Sequence, residues 1–178
     1  METTSGHDTV RLSPGEQVSI VCYYHSSKNN LYGLVEDSVS IIPDKGKAAY
    51  TIPLTAIVNE DFSRLTPGER AKAPEIVIAD KTVDFGRLPS DGGTVSRTFE
   101  IENRGKSTLE IRRVYTTDPG VTASCDKTSV KKGKHATVTV TVDPSALPGS
   151  LLNARISVIA NDPDHPTTVI RAVGQLAQ

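Results

Sequence analysis

The sequence predicts an all-β protein, a tandem of antiparallel β-sandwiches whose first domain is truncated to its C-terminal half. Three observations predict it. Val, Ile and Thr supply 49 of the 178 residues, and β-branched side chains suit the pleated surface of a strand. The 13 Gly and 11 Pro cut the chain into short runs of alternating polarity. No stretch keeps a helical period for ten residues or more.

From the N-terminus, residues 1–8 are expected to be a disordered leader, 9–58 the half-domain, 59–74 a linker around Pro67-Gly68, and 75–178 a complete domain. The half-domain is read from an internal repeat. Leu12 to Cys22 matches Val130 to Val140, each an apolar residue, a glycine turn (Gly15, Gly133) and then alternation. Leu31-Tyr-Gly33 matches Leu147-Pro-Gly149. Val39 to Ile42 matches Ile156 to Ile159, and Thr51 to Val58 matches Thr167 to Gly174. A half-sandwich leaves an apolar face and strand edges open, so the chain is expected to be a fragment, or else to borrow strands from a partner.

In the complete domain, strands are expected at Glu75–Ala79, Thr82–Phe85, Val95–Glu102, Thr108–Tyr115, Val121–Ala123, Lys134–Val142, Asn153–Ala160 and Thr167–Gln175. Val138, Val140 and Val142 fall on one face and Thr137, Thr139 and Thr141 on the other, the period of a half-buried strand. Turn signals separate the runs, among them Asp91-Gly92-Gly93, Asp118-Pro119-Gly120 and Pro148-Gly149. Short strands at this spacing make a sandwich. Phe85 offers a large apolar anchor, and Gly86 a turn or close backbone approach. Asn103 with Gly105 suits a tight hairpin with positive φ at its centre.

The run Val83-Asp84-Phe85-Gly86-Arg87-Leu88, followed by Thr98 to Ile111 with Phe99, Ile101, Asn103, Gly105, Leu109 and Ile111 in phase, resembles the DUF1573 family of bacterial Ig-like domains. Asn161-Asp162-Pro163 before the last strand matches as well. The resemblance covers about Pro74 to Leu176 and implies an Ig-like sandwich related to ASH, MSP and PapD-like domains. It also implies export to the periplasm or cell surface, and no enzymatic activity. Members often carry Ser-Cys-Gly-Cys after the third strand; here Ala123-Ser124-Cys125-Asp126 keeps only Ser-Cys.

Composition narrows function further. Twenty basic residues against 21 acidic give a net charge of −1, which provides no electrostatic attraction for nucleic acid. No run approaches the ~18 apolar residues of a membrane helix. The histidines, His7, His25, His135 and His165, lack zinc-site spacing and any CxxC companion, so no metal or cofactor is expected. Asp84-Phe85-Gly86 lacks the catalytic and phosphate loops that would make it a kinase motif. Cys125 and His135 could form a nucleophile pair only if the fold brought them into contact; a small core or loop cysteine is the plainer reading. Cys22 falls in phase with Val18 and Ile20 and reads as core.

The expected function is that of a non-catalytic structural or protein-interaction module of an exported bacterial protein. It would act through sandwich surface and edge-strand contacts, with another protein or another copy of the domain as partner. Two alternatives come from other classes. One is a module for surface glycans, carried by Tyr23, Tyr32 and the basic loop with Lys131 and Lys132. The other is a PapD-like strand-sharing chaperone.

Overall fold

The computed structural model describes residues 11–19, 21, 31–43, 49–90 and 93–177. The chain divides into two compact units, Met1–Val58 and Asn59–Gln178.

The described part of the first unit is built on an antiparallel pair, β1 (Gly33–Ile41) and β2 (Tyr50–Val58). Val35 faces Ala56, Val39 faces Ile52, and Ile41 faces Tyr50. Cross-strand partners share a face, so these residues form a mainly apolar side interrupted by Asp37, opposite Leu54, while Glu36–Thr55, Ser40–Thr51 and the apolar pair Leu34–Ile57 lie on the other. The apolar side is only partly covered: Val35 and Val58 are buried, but Tyr50 and Ile52 stand exposed. The internal repeat would pair Val39 with Leu54; the observed pairing slides by two residues, which keeps the same side chains on the same face. Leu12–Ser19 forms a turn at Pro14-Gly15 and no strand. Ile20 and Cys22, at the end of the alternating run expected there, lie outside the described residues.

The second unit holds two sheets. One has the order β4 (Thr82–Leu88), β11 (Thr167–Leu176), β10 (Leu151–Ala160), β6 (Leu109–Tyr115), β8 (Ser129–Val130). The other has the order β3 (Ile76–Val77), β5 (Val95–Asn103), β9 (His135–Val142), β7 (Val121–Cys125). Their inner faces share one core in which Ile101, Leu109, Val138, Val140, Ile156 and Ile170 are fully buried. β9 alternates perfectly, valines and Ala136 inward and threonines half-exposed.

One pairing departs from the antiparallel expectation. β4 runs parallel to β11. β3 pairs antiparallel with β5 in one sheet; the chain then crosses to the other without turning back, and Arg171 N–H donates to Lys81 O at 2.8 Å. β11 runs in that same direction, so the strand that changes sheet without turning back lies parallel to it.

The segment 59–74, expected as a linker, is held against the second unit. Thr66 caps a single helical turn, α1 (Pro67–Arg70), by accepting from Glu69 N–H, while Glu69 accepts from Thr66 N–H at 2.8 Å. Arg70 pairs with Asp164 and donates to Pro163 O at 3.1 Å. Arg112 grips Glu60 through two hydrogen bonds of 3.0 and 2.9 Å.

Candidate functional site

The residues of the Asn103-Gly105 motif meet where β5, the turn after it and the strand entrances converge. The Asn103 side chain is completely buried. Its Nδ2 donates to Ser107 O and Val130 O, both at 2.8 Å. Its Oδ1 accepts from Gly105 N–H at 3.0 Å and from Glu75 N–H at 3.4 Å. One amide thus satisfies four backbone groups from three segments, the turn after β5, β8 and the entrance to β3, as a buried polar group must. Gly105 does not have the positive φ expected of it. Its requirement is space: a Cβ there would collide with the backbone of Pro74 and Glu75. The loop is not a tight hairpin, because Arg104 and Lys106 turn their N–H groups to Glu75 O and Ala73 O.

Asn161-Asp162-Pro163 locks the opposite strands. Asn161 Oδ1 accepts from Glu110 N–H at 2.7 Å, and its Nδ2 donates to Thr108 O. This closes the β6–β10 edge beyond the irregularity at Ile159/Ala160. Asp162, buried and named in the motif without a role of its own, accepts from Ile76 N–H at 2.9 Å and from the Asp164 and His165 N–H groups. It therefore ties the last turn to β3 in the other sheet. Pro163 is buried beside it.

Phe85 is buried in the core. Gly86 has φ of +60° and sits where β4 carries two residues against one of β11, a bulge. Asp84 Oδ1 accepts from Gly86 N–H at 2.8 Å and steadies it.

The reactive side chains are kept apart. Cys125 Sγ donates to Lys127 O at 3.1 Å, and burial, with the nearby Asp126 carboxylate adding to it, pushes the thiol pKa up. A thiol held protonated is a poor nucleophile. His135 lies 3.7 Å from Glu100 instead, so the two have different partners. His165 reaches Asp162 at 3.4 Å. Among the described residues no group of three or more His, Cys, Asp or Glu could hold a metal ion, and no helix is long and apolar enough to cross a membrane. Tyr32 is half-buried just before β1, and Tyr23 lies outside the described residues. Lys131 and Lys132 are exposed in the turn before Gly133, whose φ is +67°. Tyr115 is covered by the Arg113 guanidinium, 4.2 Å from the ring centre.

Backbone ladders end at the outer strands of each sheet. β7, Val-Thr-Ala-Ser-Cys, ends its sheet. Asp126 N–H donates to Thr137 O and Asp143 N–H to Gly120 O, so the even-numbered residues address β9. Ala123 and Cys125 then turn their N–H and C=O outward. The strand has neither a charge nor a proline, the usual means of blunting an edge.

The sequence profile of the DUF1573 family, described as a protein of unknown function, matches residues 76–174. No curated protein matches significantly. Among solved structures, a protein of unknown function from Porphyromonas gingivalis W83 is 28% identical, with a TM-score of 0.68, over 83% of this chain and 68% of that one. The ASH/PapD-like domain 7 of human CEP192 is 16% identical, with a TM-score of 0.43, over 69% and 96% of the two chains. The YadV chaperone is 18% identical, with a TM-score of 0.44, over 58% and 52%.

Proposed function

Since this chain belongs to the DUF1573 family, a family without an established activity, we propose that it is a non-catalytic protein-interaction module of an exported bacterial protein. The carrying observation is the edge of β7. Its outward amides and carbonyls need partners, and its side chains carry nothing that repels another strand. The raised thiol pKa of Cys125 and its separation from His135 support the non-catalytic reading.

The domain reading belongs to the same proposal. Residues 9–58 are the C-terminal half of an Ig-like domain and 75–178 a complete one. The likeness to the P. gingivalis protein supports this, because 83% of the chain is more than the second unit alone supplies. The mainly apolar face of β1–β2, with Val35, Val39, Ile41, Ile52 and Leu54, supports it too, since such a face needs a second sheet.

The test is affinity capture from a bacterial envelope fraction, using the whole chain and its Ala123→Pro variant. Proline at this position removes an N–H that no ladder uses. The expected result is a protein retained by the unmodified chain and released by the variant at unchanged thermal midpoint. Equal retention by both removes the edge reading. Hydrolase or redox turnover that disappears on Cys125→Ala removes the non-catalytic one. Recovery of the native protein only from the cytosolic fraction overturns the exported localisation.

A further inference from the structure

A second edge is open within the other side of that sheet, and it comes with a groove. β5 is covered by β9 along its whole length, from Val95–Val142 to Glu102–His135. On its other side β3 covers only Asn103 and Glu102. The direction of the exposed groups follows from the hydrogen bonds. Asn103 N–H donates to Lys134 O, and Arg104 N–H to Glu75 O. Odd-numbered residues of β5 therefore address β9, and even-numbered ones address the lane of β3. Past Glu102, that lane is vacated at Ile78, where the chain leaves for the other sheet. Ser96, Thr98 and Glu100 are left facing it, and no backbone hydrogen bond joins them to the crossover among the described residues.

The vacated lane is a groove of about 440 Å³. It is lined on one side by Ile78–Asp80 and Thr82–Asp84 and on the other by Arg97–Glu100. Its floor is apolar, with Ile78, Val83 and Phe99 buried. Its rim is acidic, with Asp80, Asp84 and Glu100 against one base. That base, Arg97, donates to Ser96 O at 3.1 Å and so covers one edge carbonyl. Such a guard restricts pairing, so a strand added here pairs first along Thr98 and Glu100 and must displace the Arg97 guanidinium to reach Ser96 O.

We infer that this groove is a docking lane for an extended, lysine- or arginine-bearing segment of a partner protein. The segment adds as a strand along Ser96, Thr98 and Glu100, antiparallel to β5 and in line with β3. Small apolar side chains of the segment face Val83 and Phe99, and its basic ones meet Asp80, Asp84 and Glu100. The inference rests on the interaction reading above and gives it a second site and a partner chemistry.

The probe is the blocked peptide acetyl-Lys-Val-Lys-Val-Lys-Val-Lys-amide, with its glutamate counterpart as control. Amide exchange is followed residue by residue on the whole chain. The lysine peptide is expected to slow exchange at Thr98 and Glu100 about tenfold or more, with the glutamate peptide at least about tenfold weaker. Thr98→Pro removes the central edge N–H without touching the β9 ladder and is expected to abolish binding. Should that variant unfold, Asp80→Lys, at an exposed position, is expected to shift preference toward the glutamate peptide. Equal affinity for the two peptides, unaltered exchange at Thr98 and Glu100 at millimolar peptide, or undiminished binding by folded Thr98→Pro each overturn the proposal. Protection at Ala123 and Cys125 instead removes the groove but keeps the interaction reading. Failure of that reading shows separately, as absence of any Ala123-dependent partner in the envelope capture.

Discussion

Single residues carry more of this fold than their polarity suggests. Asn103 replaces four missing backbone partners, so its loss strands donors and acceptors on three segments at once. Asn103→Ala is expected to destabilise the second unit by about 3 kcal/mol, read by urea titration, and Asn103→Asp is expected to recover none of this, because it buries a carboxylate oxygen against the Ser107 and Val130 carbonyls. A loss under about 1 kcal/mol refutes the hub role. Cys125 gives a second prediction at this scale. Burial is the largest cause raising its pKa, so the thiolate forms only above the range of a free cysteine. In a Cys22→Ser background, where Cys125 is the sole thiol, the alkylation rate is expected to rise with pH along a curve displaced upward from that of glutathione. A curve displaced downward, toward neutral pH, reopens nucleophilic chemistry. Asn103 was visible in the sequence because Asn-x-Gly marks a loop. The reason for Gly105 was not, since the collision it avoids is with Pro74 and Glu75, about thirty residues earlier.

At the level of elements, what was legible is what is written in local period. β5, β9 and β11 appear within one or two residues of their expected bounds because their apolar residues alternate. β8, two residues long, has no period to read, and the parallel pairing of β4 with β11 joins residues some ninety apart, beyond any local pattern. Asp162 was legible as part of the Asn161-Asp162-Pro163 motif but its role was not, because its partner Ile76 lies some ninety residues earlier. The bulge in β4 supplies the prediction at this scale. A Cβ on Gly86 meets nothing within 4 Å, but the backbone there has φ of +60°. Gly86→Ala is therefore expected to cost about 1–2 kcal/mol from the backbone alone, and Gly86→Asn less, since Asn tolerates that conformation. Gly174, opposite the bulge, differs in kind. Its Cβ would lie 3.1 Å from Gly86 O and from the Phe85 side chain, so Gly174→Ala and Gly174→Asn should both disrupt the strand pair. Thermal midpoints that rank Gly86→Asn no better than Gly86→Ala refute the conformational account.

For the whole molecule, stability is divided as unevenly as the sequence is. The core cluster of buried apolar residues lies entirely within the second unit, and a domain of that size ordinarily folds alone. The described part of the first unit buries only Val35 and Val58 among its large apolar residues, and an isolated two-stranded pair is marginal in water. The chain is therefore expected to unfold in two steps. Amides of β1 and β2 should exchange early, while those of β9 and β10 exchange only with global unfolding. A piece spanning Asn59–Gln178 should keep the upper thermal midpoint of the whole chain within about 2 °C. The starting point matters, because 59–74 is bound to this unit. A piece beginning at Pro74 loses both the Arg112–Glu60 and the Arg70–Asp164 pairs along with the Thr66 cap. These are surface interactions, each contributing about 0–1 kcal/mol, so the shorter piece should fold with a midpoint lower by several degrees. Were Asn59–Gln178 to unfold where the whole chain stays folded, stability would have to come from the first unit. The second unit could then no longer be treated as a complete domain.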